Sequence, residues 1–307
     1  MTLTRRAMMA LSLAMLAAGA KAETGADPRA DLRRDVLRDW YRLVLELVRH
    51  TPTYSPPVAS RAFAYVGVIA HEAQVGLVPG PLTLAGQLNE LTALPAPAAG
   101  VDPAAALNAA LGQAMTDFFG NTGPTGQRAM QAMARDMAEK AEAGLSPEVA
   151  EASRAHGLAI AAHVLAWSAT DGGAVVENLG FPMEYAGPEG PQYWVPTNLQ
   201  NLQQKPLLPG WGNNRTFAVP AGQMCTAPAF PDYSEDPASE IFAAAKVVYD
   251  TSKSLTDDQK ATARFWSDDP MLSPTPPGHW IAIFLQIAER DKLPADKMAD
   301  GLARLQF

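Results

Sequence analysis

Gln259-Lys-Ala-Thr-Ala-Arg264-Phe265-Trp266-Ser-Asp268-Asp269-Pro270, continued by Ser273-Pro-Thr275-Pro-Pro277-Gly278-His279-Trp280, is the stretch from which the fold is read. Thr256 and Gln259 bracket its start as a capping box, in which the hydroxyl takes the third backbone N–H and the glutamine reaches back to the cap. Pro270 closes the helix, because a proline drives the residue before it out of the α region. Pro276 and Pro277 then open another, since the first turn of a helix has no use for the N–H they lack. The stretch predicts two helices, over about 256–268 and 277–290, with a short loop between them.

The same signals recur upstream. Leu32, Val36, Trp40, Leu43, Val44, Leu47 and Val48 fall at three- and four-residue spacing and predict an amphipathic helix over 31–50, with arginines at 33, 34, 38, 42 and 49 on much of the other side. Ser55-Pro56-Pro57 opens a helix over about 56–76 that is apolar almost all round and belongs at the centre. Further helices are expected at about 103–119, 125–143, 147–170, 236–253 and 294–305. In the 147–170 helix, Leu158, Ala161, Ala162, Leu165 and Ala166 form a small-residue stripe suited to close packing. Met130, Met133 and Met137 read as packing in the helix before it. Alanine is abundant and β-branched residues are sparse, so the predicted class is all-α. A Pro/Ala/Gly-rich loop covers about 92–102, and periodicity fails at about 171–234, a long irregular Pro/Gly/aromatic excursion; such runs either carry function or pack as ordered loops.

Composition bounds the rest. The 307 residues are 48% hydrophobic and 18% charged, which suits a folded core and excludes disorder. Residues 1–22 read as an export signal: Arg5-Arg6, an apolar run from Ala7 to Ala18, then Ala20-Lys21-Ala22 as the cleavage site. Thr4-Arg5-Arg6 adds a twin-arginine reading, and the expected destination is the periplasm or the medium. Losing the three positive charges of that segment takes the net charge from −8 to −11, which argues against a nucleic-acid partner. Residues 23–307 then form one helical region. Cys225 is the only cysteine, so no internal disulfide is possible.

Several phrases together resemble a known group. They are Phe63-Ala-Tyr65 through His71-Glu72, Trp167-Ser-Ala-Thr-Asp171-Gly-Gly, Pro206-Leu-Leu-Pro209-Gly-Trp211-Gly-Asn-Asn-Arg215-Thr-Phe217, Glu240-Ile-Phe242, Lys246-Val-Val-Tyr249 and the opening stretch. From about residue 35 onward, and in order, they resemble the bacterial vanadium-dependent haloperoxidases and the type 2 phosphatidic acid phosphatase superfamily. The resemblance implies a helical bundle and recognition of a tetrahedral oxyanion. That oxyanion is vanadate as cofactor for halide oxidation in complete members, or the phosphate ester of a small-molecule substrate. Such an anion needs a lysine, two arginines, glycine-turn amides and a histidine converging on it. The group writes these as Lys-x6-Arg-Pro, Pro-Ser-Gly-His and Ser-Arg-x5-His.

This chain departs from all three. Lys205 and Arg215 stand ten apart and Thr216 follows the arginine; Pro277-Gly278-His279 has proline where serine belongs; no Ser-Arg-x5-His follows in the 28 residues after His279. Lys205, Arg215 and His279 are therefore the catalytic candidates, and this chain alone supports no cofactor and no metal. The expectation is an N-terminal portion lacking the C-terminal active-site half, inactive as it stands. The alternative is a non-catalytic helical scaffold or interaction module. Either reading leaves an apolar helix face uncovered, to be met by a second copy or a partner chain.

Each candidate also has a structural role open to it. His279 can hydrogen-bond a loop carbonyl, Arg215 can pin the excursion through its five donors, and Lys205 can extend into water. His71-Glu72 reads as a satisfied core pair, and Asp268-Asp269 as the solvated end of a helix. His156 and His163 share a helix face, but no third ligand stands in spacing.

Overall fold

The computed structural model describes residues 28–51, 53–174, 185–196, 205–220, 223, 226–269 and 271–307. The expected export signal and Cys225 lie outside the described residues. Within them there are nine α-helices: α1 Pro28–Arg49, α2 Pro56–Glu72, α3 Pro103–Phe118, α4 Gly123–Glu142, α5 Pro147–Ser168, α6 Glu240–Lys253, α7 Asp257–Phe265, α8 Thr275–Arg290 and α9 Ala295–Leu305. The class is all-α, with no strand among the described residues.

Local chemistry sets most helix starts. Asp102 caps α3, its carboxylate accepting from the backbone N–H of Ala104 and Ala105 at 2.9 Å each. Ser146 caps α5 through Val149 N–H, and the Thr256–Gln259 box closes in both directions at the start of α7. Ser55 occupies the cap position of α2 with extended backbone but makes no side-chain cap bond. Proline at the first turn opens α2, α3, α4, α5 and α8.

As its composition requires, α2 is the central helix, buried from Val58 to Glu72 except at Ser60. It packs against α3, α5, α8 and α9. Gly67 lets α9 lie against it: a Cβ there would come within 2.7 Å of the Ala303 Cα. α1 covers the same core with Trp40, whose indole N–H donates to Asn108 Oδ1 at 2.9 Å. Burying a large apolar side chain is worth about 1.5–3 kcal/mol, and Trp40, Phe63, Leu107, Phe119 and Ile281 are among those fully buried.

α3 and α5 form the most intimate helix pair. The packed face of α5 is not the stripe expected from sequence, since Leu158, Ala162 and Ala166 face solvent. It runs through Ser153, Gly157, Ile160, Ala161, Val164 and Trp167. Gly157 is the reason, because a Cβ there would run into the Ala106 carbonyl.

α6 and α7 differ from the rest. Neither buries a single residue, and Val247, Val248, Tyr249, Phe265 and Trp266 project their side chains into solvent. Their attachment is at the far end of the loop after α7. There Met271 N–H donates to Arg49 O, the Arg49 guanidinium returns a bond to Met271 O, and Asp268 meets His279 on α8.

Candidate functional site

The polar centre of the molecule is built on Asp171, just past the end of α5. Its carboxylate is 3% exposed. It accepts from Arg61 Nε at 2.7 Å and Nη2 at 3.2 Å, from the Tyr65 hydroxyl at 2.8 Å, and from the backbone N–H of Gly173 at 2.8 Å and Ala174 at 3.2 Å. Arg61 and Tyr65 stand one helical turn apart on α2, so one face of the central helix reads the end of α5. Arg61 also donates to Ser168 O at 2.8 Å and lies over the Tyr65 ring. Burial, reinforced by the Asp171 charge, pushes the Tyr65 hydroxyl well above its ordinary range, so it stays a proton donor.

The excursion joins this centre through Arg215. Its backbone N–H donates to Asp171 O at 2.8 Å. Its guanidinium donates to Trp167 O at 2.6 Å, Thr170 Oγ1 at 2.9 Å and Glu90 Oε2 at 3.0 Å, with a longer bond to the Tyr65 hydroxyl. It also stacks over the Trp167 ring, 4.9 Å from the centroid. Phe217 follows it into a cluster with Tyr65, Trp167 and Phe307. Asn89 completes the seam, donating to Thr216 O and Val219 O while its own carbonyl accepts from the Trp167 indole. A cleft of about 680 Å³ opens over Asn89, Glu90, Thr170, Gly172, Asn213 and Arg215. A smaller one of about 230 Å³ lies over Ser60, Arg61, Trp211, Asn214 and Gln306.

The sequence-stated candidates are not gathered in one place. Arg215 lines the two clefts just described, Lys205 lines a different one of about 530 Å³ with Tyr185, Tyr193 and Trp194, and His279 lines none of the three. Lys205 is half-buried rather than extended into water. The partner of His279 is a carboxylate, not a loop carbonyl: its Nδ1 lies 2.9 Å from Asp268 Oδ1. His71 and Glu72 do not bond each other. His71 Nε2 meets Leu82 O at 2.8 Å, while Glu72 accepts from the Thr83 hydroxyl and Leu84 N–H. Burial raises the Glu72 carboxyl above its ordinary range against those bonds. His163 bonds Thr92 and His156 Nε2 is buried without a partner, so the two histidines do not converge.

Arg61, Tyr65 and Glu90 were missed by motif reading. A signal existed for the first: a lone arginine inside an apolar helix must find a carboxylate or carbonyls.

The comparisons add a relative of known structure. One solved structure, described as the crystal structure of the first bacterial vanadium-dependent iodoperoxidase, matches with a TM-score of 0.75 at 27% identity, over 89% of this chain and 65% of that one. The fold is of the vanadium haloperoxidase type. No protein-family model and no curated protein matches the chain. This haloperoxidase-type chain thus spans about 65% of the iodoperoxidase's length.

The described donors do not fit vanadate. A multiply charged oxyanion needs cations whose N–H groups are uncommitted and a site clear of carboxylates. In the Asp171 centre Arg61 is matched by Asp171 and Arg215 by Glu90, while Lys205 and His279 stand elsewhere. Asp171 and Glu90 both line the larger cleft and would repel an anion there.

Proposed function

We propose that this chain is the helical frame of an exported, haloperoxidase-type protein, and that oxyanion chemistry requires residues beyond the 307 here. That chemistry is vanadate-dependent halide oxidation or phosphate-ester hydrolysis on a small-molecule substrate. The observation that carries the reading is the pairing at Asp171: Arg61 and Arg215 are spent on carboxylates and helix-end carbonyls. Arg215 holds residues 205–220 to the bundle, and among the described residues no converging set of cations is left.

The test is an assay of the purified chain for iodide and bromide oxidation with peroxide, and for aryl phosphate hydrolysis, each with and without orthovanadate. Vanadium-51 NMR follows binding directly. The expected outcome is no turnover above buffer and an unshifted vanadate resonance. Turnover that Arg215→Ala or His279→Ala abolishes would overturn it.

A second reading, an interaction module without chemistry of its own, is favoured by α6 and α7. Neither helix buries a residue, and large apolar side chains on both are exposed.

A further inference from the structure

α1, the turn after α2 and the start of α3 enclose a cleft of about 390 Å³ that shares no lining residue with the two at Asp171. Its polar lining is Arg29, Arg33 and Asp102, and Leu77, Val78 and Pro79 supply an apolar wall. Arg29 and Arg33 stand one helical turn apart on α1 and so reach the same side. Their situations are opposite. Arg29 donates through Nε to Asp102 Oδ2 at 3.0 Å and through Nη2 to Ala141 O at 2.7 Å. Asp102 is committed in turn, because its other oxygen caps α3 by accepting from Ala104 and Ala105 N–H. Arg33 has neither a hydrogen bond nor an ion pair among the described residues, and its Nε is buried without an acceptor.

A guanidinium keeps its charge in any folded protein. Arg33 is therefore a permanent cation with a buried donor unsatisfied, and such donors are rare enough to call for an acceptor from outside the chain. The neighbouring carboxylates do not supply one. On α1 Asp31 is held by Arg34 and Asp35 by Arg38. Asp296 of α9, which approaches Gly80, has Lys297 at 3.8 Å. The lining carries two cations and one anion, so one positive charge remains to be met.

That balance and the shape of the cleft select the ligand. The Nε–H and one Nη–H of a guanidinium run parallel and match the two oxygens of a carboxylate. A second negative charge on the ligand would face Asp102 with no cation left for it, which disfavours a phosphate dianion. The wall of Leu77, Val78 and Pro79 suits an apolar body, and the volume is that of a small-molecule site. We propose that Arg33 anchors a binding site for a small monocarboxylate, with the carboxylate on the guanidinium and the apolar body against Leu77, Val78 and Pro79. None of the groups at Asp171 takes part, so the site stands or falls independently of oxyanion chemistry.

The experiment is a saturation-transfer NMR titration of the full chain with benzoate and with hexanoate, inorganic phosphate then being added as a competitor at a pH where it is a dianion. The variants are Arg33→Gln, Arg33→Lys and a control, Arg34→Gln, which removes a cation of the same helix from outside the cleft. Both carboxylates should bind, and Arg33→Gln should weaken them by about tenfold or more. Arg33→Lys keeps the charge but loses the fork, so it should weaken them less, and Arg34→Gln should leave them unchanged. Phosphate should not displace either. Should Arg33→Gln fail to fold, Arg33→Lys against Arg34→Gln carries the same comparison. Absence of transfer to both carboxylates would overturn the proposal, as would binding that the Arg33 variants leave unchanged. Displacement of benzoate by an equal concentration of phosphate would overturn it too.

Discussion

At the scale of single residues, Asp171 is the most consequential side chain. Five donors converge on it from α2 and from its own turn, and the excursion bonds its backbone. Removing one partner of a buried ion pair costs about 3–5 kcal/mol, because the remaining charge keeps its desolvation penalty without compensation. Arg61→Met should therefore lower the unfolding free energy, read from a urea titration, by an amount in that range. Arg61→Met with Asp171→Leu should recover much of the loss, since an apolar pair strands no charge. An unfolding free energy unchanged in the single variant would mean that water, rather than Arg61, satisfies the carboxylate.

At the scale of elements, α5 shows what a lone buried imidazole does. His156 is mostly buried, its Nε2 has no partner, and burial holds its pKa below the ordinary 6.5. In the folded chain the ring stays neutral while the unfolded chain takes up a proton below about pH 6.5. Stability is thus intact above that value and falls as the pH drops below it, by at most about 1.4 kcal/mol per pH unit. His156→Gln should flatten the acid side of a plot of melting temperature against pH. An unchanged slope would place the titrating group elsewhere.

The elements also show what could be read beforehand and what could not. Capping boxes and first-turn prolines act over three or four residues, so α7 and α8 were legible from Thr256, Gln259, Pro276 and Pro277. The packed face of α5 was not. That helix is apolar on more than one side, and the choice is made by the Ala106 carbonyl meeting Gly157 from another helix. The polar centre was hidden for a related reason: Arg61 and Asp171 are 110 residues apart, and no local spacing announces their meeting. Arg215 was visible as a candidate, but only the fold assigns it to Trp167, Thr170 and Glu90.

For the whole molecule, burial is divided unevenly. α1, α2, α3, α5 and α9 all contribute to the core, while α6 and α7 bury no residue, so opening free energies should differ sharply between them. Hydrogen exchange on dilute protein should show amides of 240–265 exchanging fastest among the helices, and those of Phe63–Ile69 and Leu107–Met115 slowest. Comparable protection in both groups would mean that α6 and α7 are already covered in the dilute chain.

Because Arg215 reaches Trp167, Thr170, Tyr65 and Glu90 at once, the 205–220 loop is not a dispensable insertion laid over a finished bundle. Detaching it would expose the aromatic seam of Tyr65, Trp167 and Phe217, and would leave Glu90 without its cation. Melting of that loop and melting of the central helices should therefore be one event, not two.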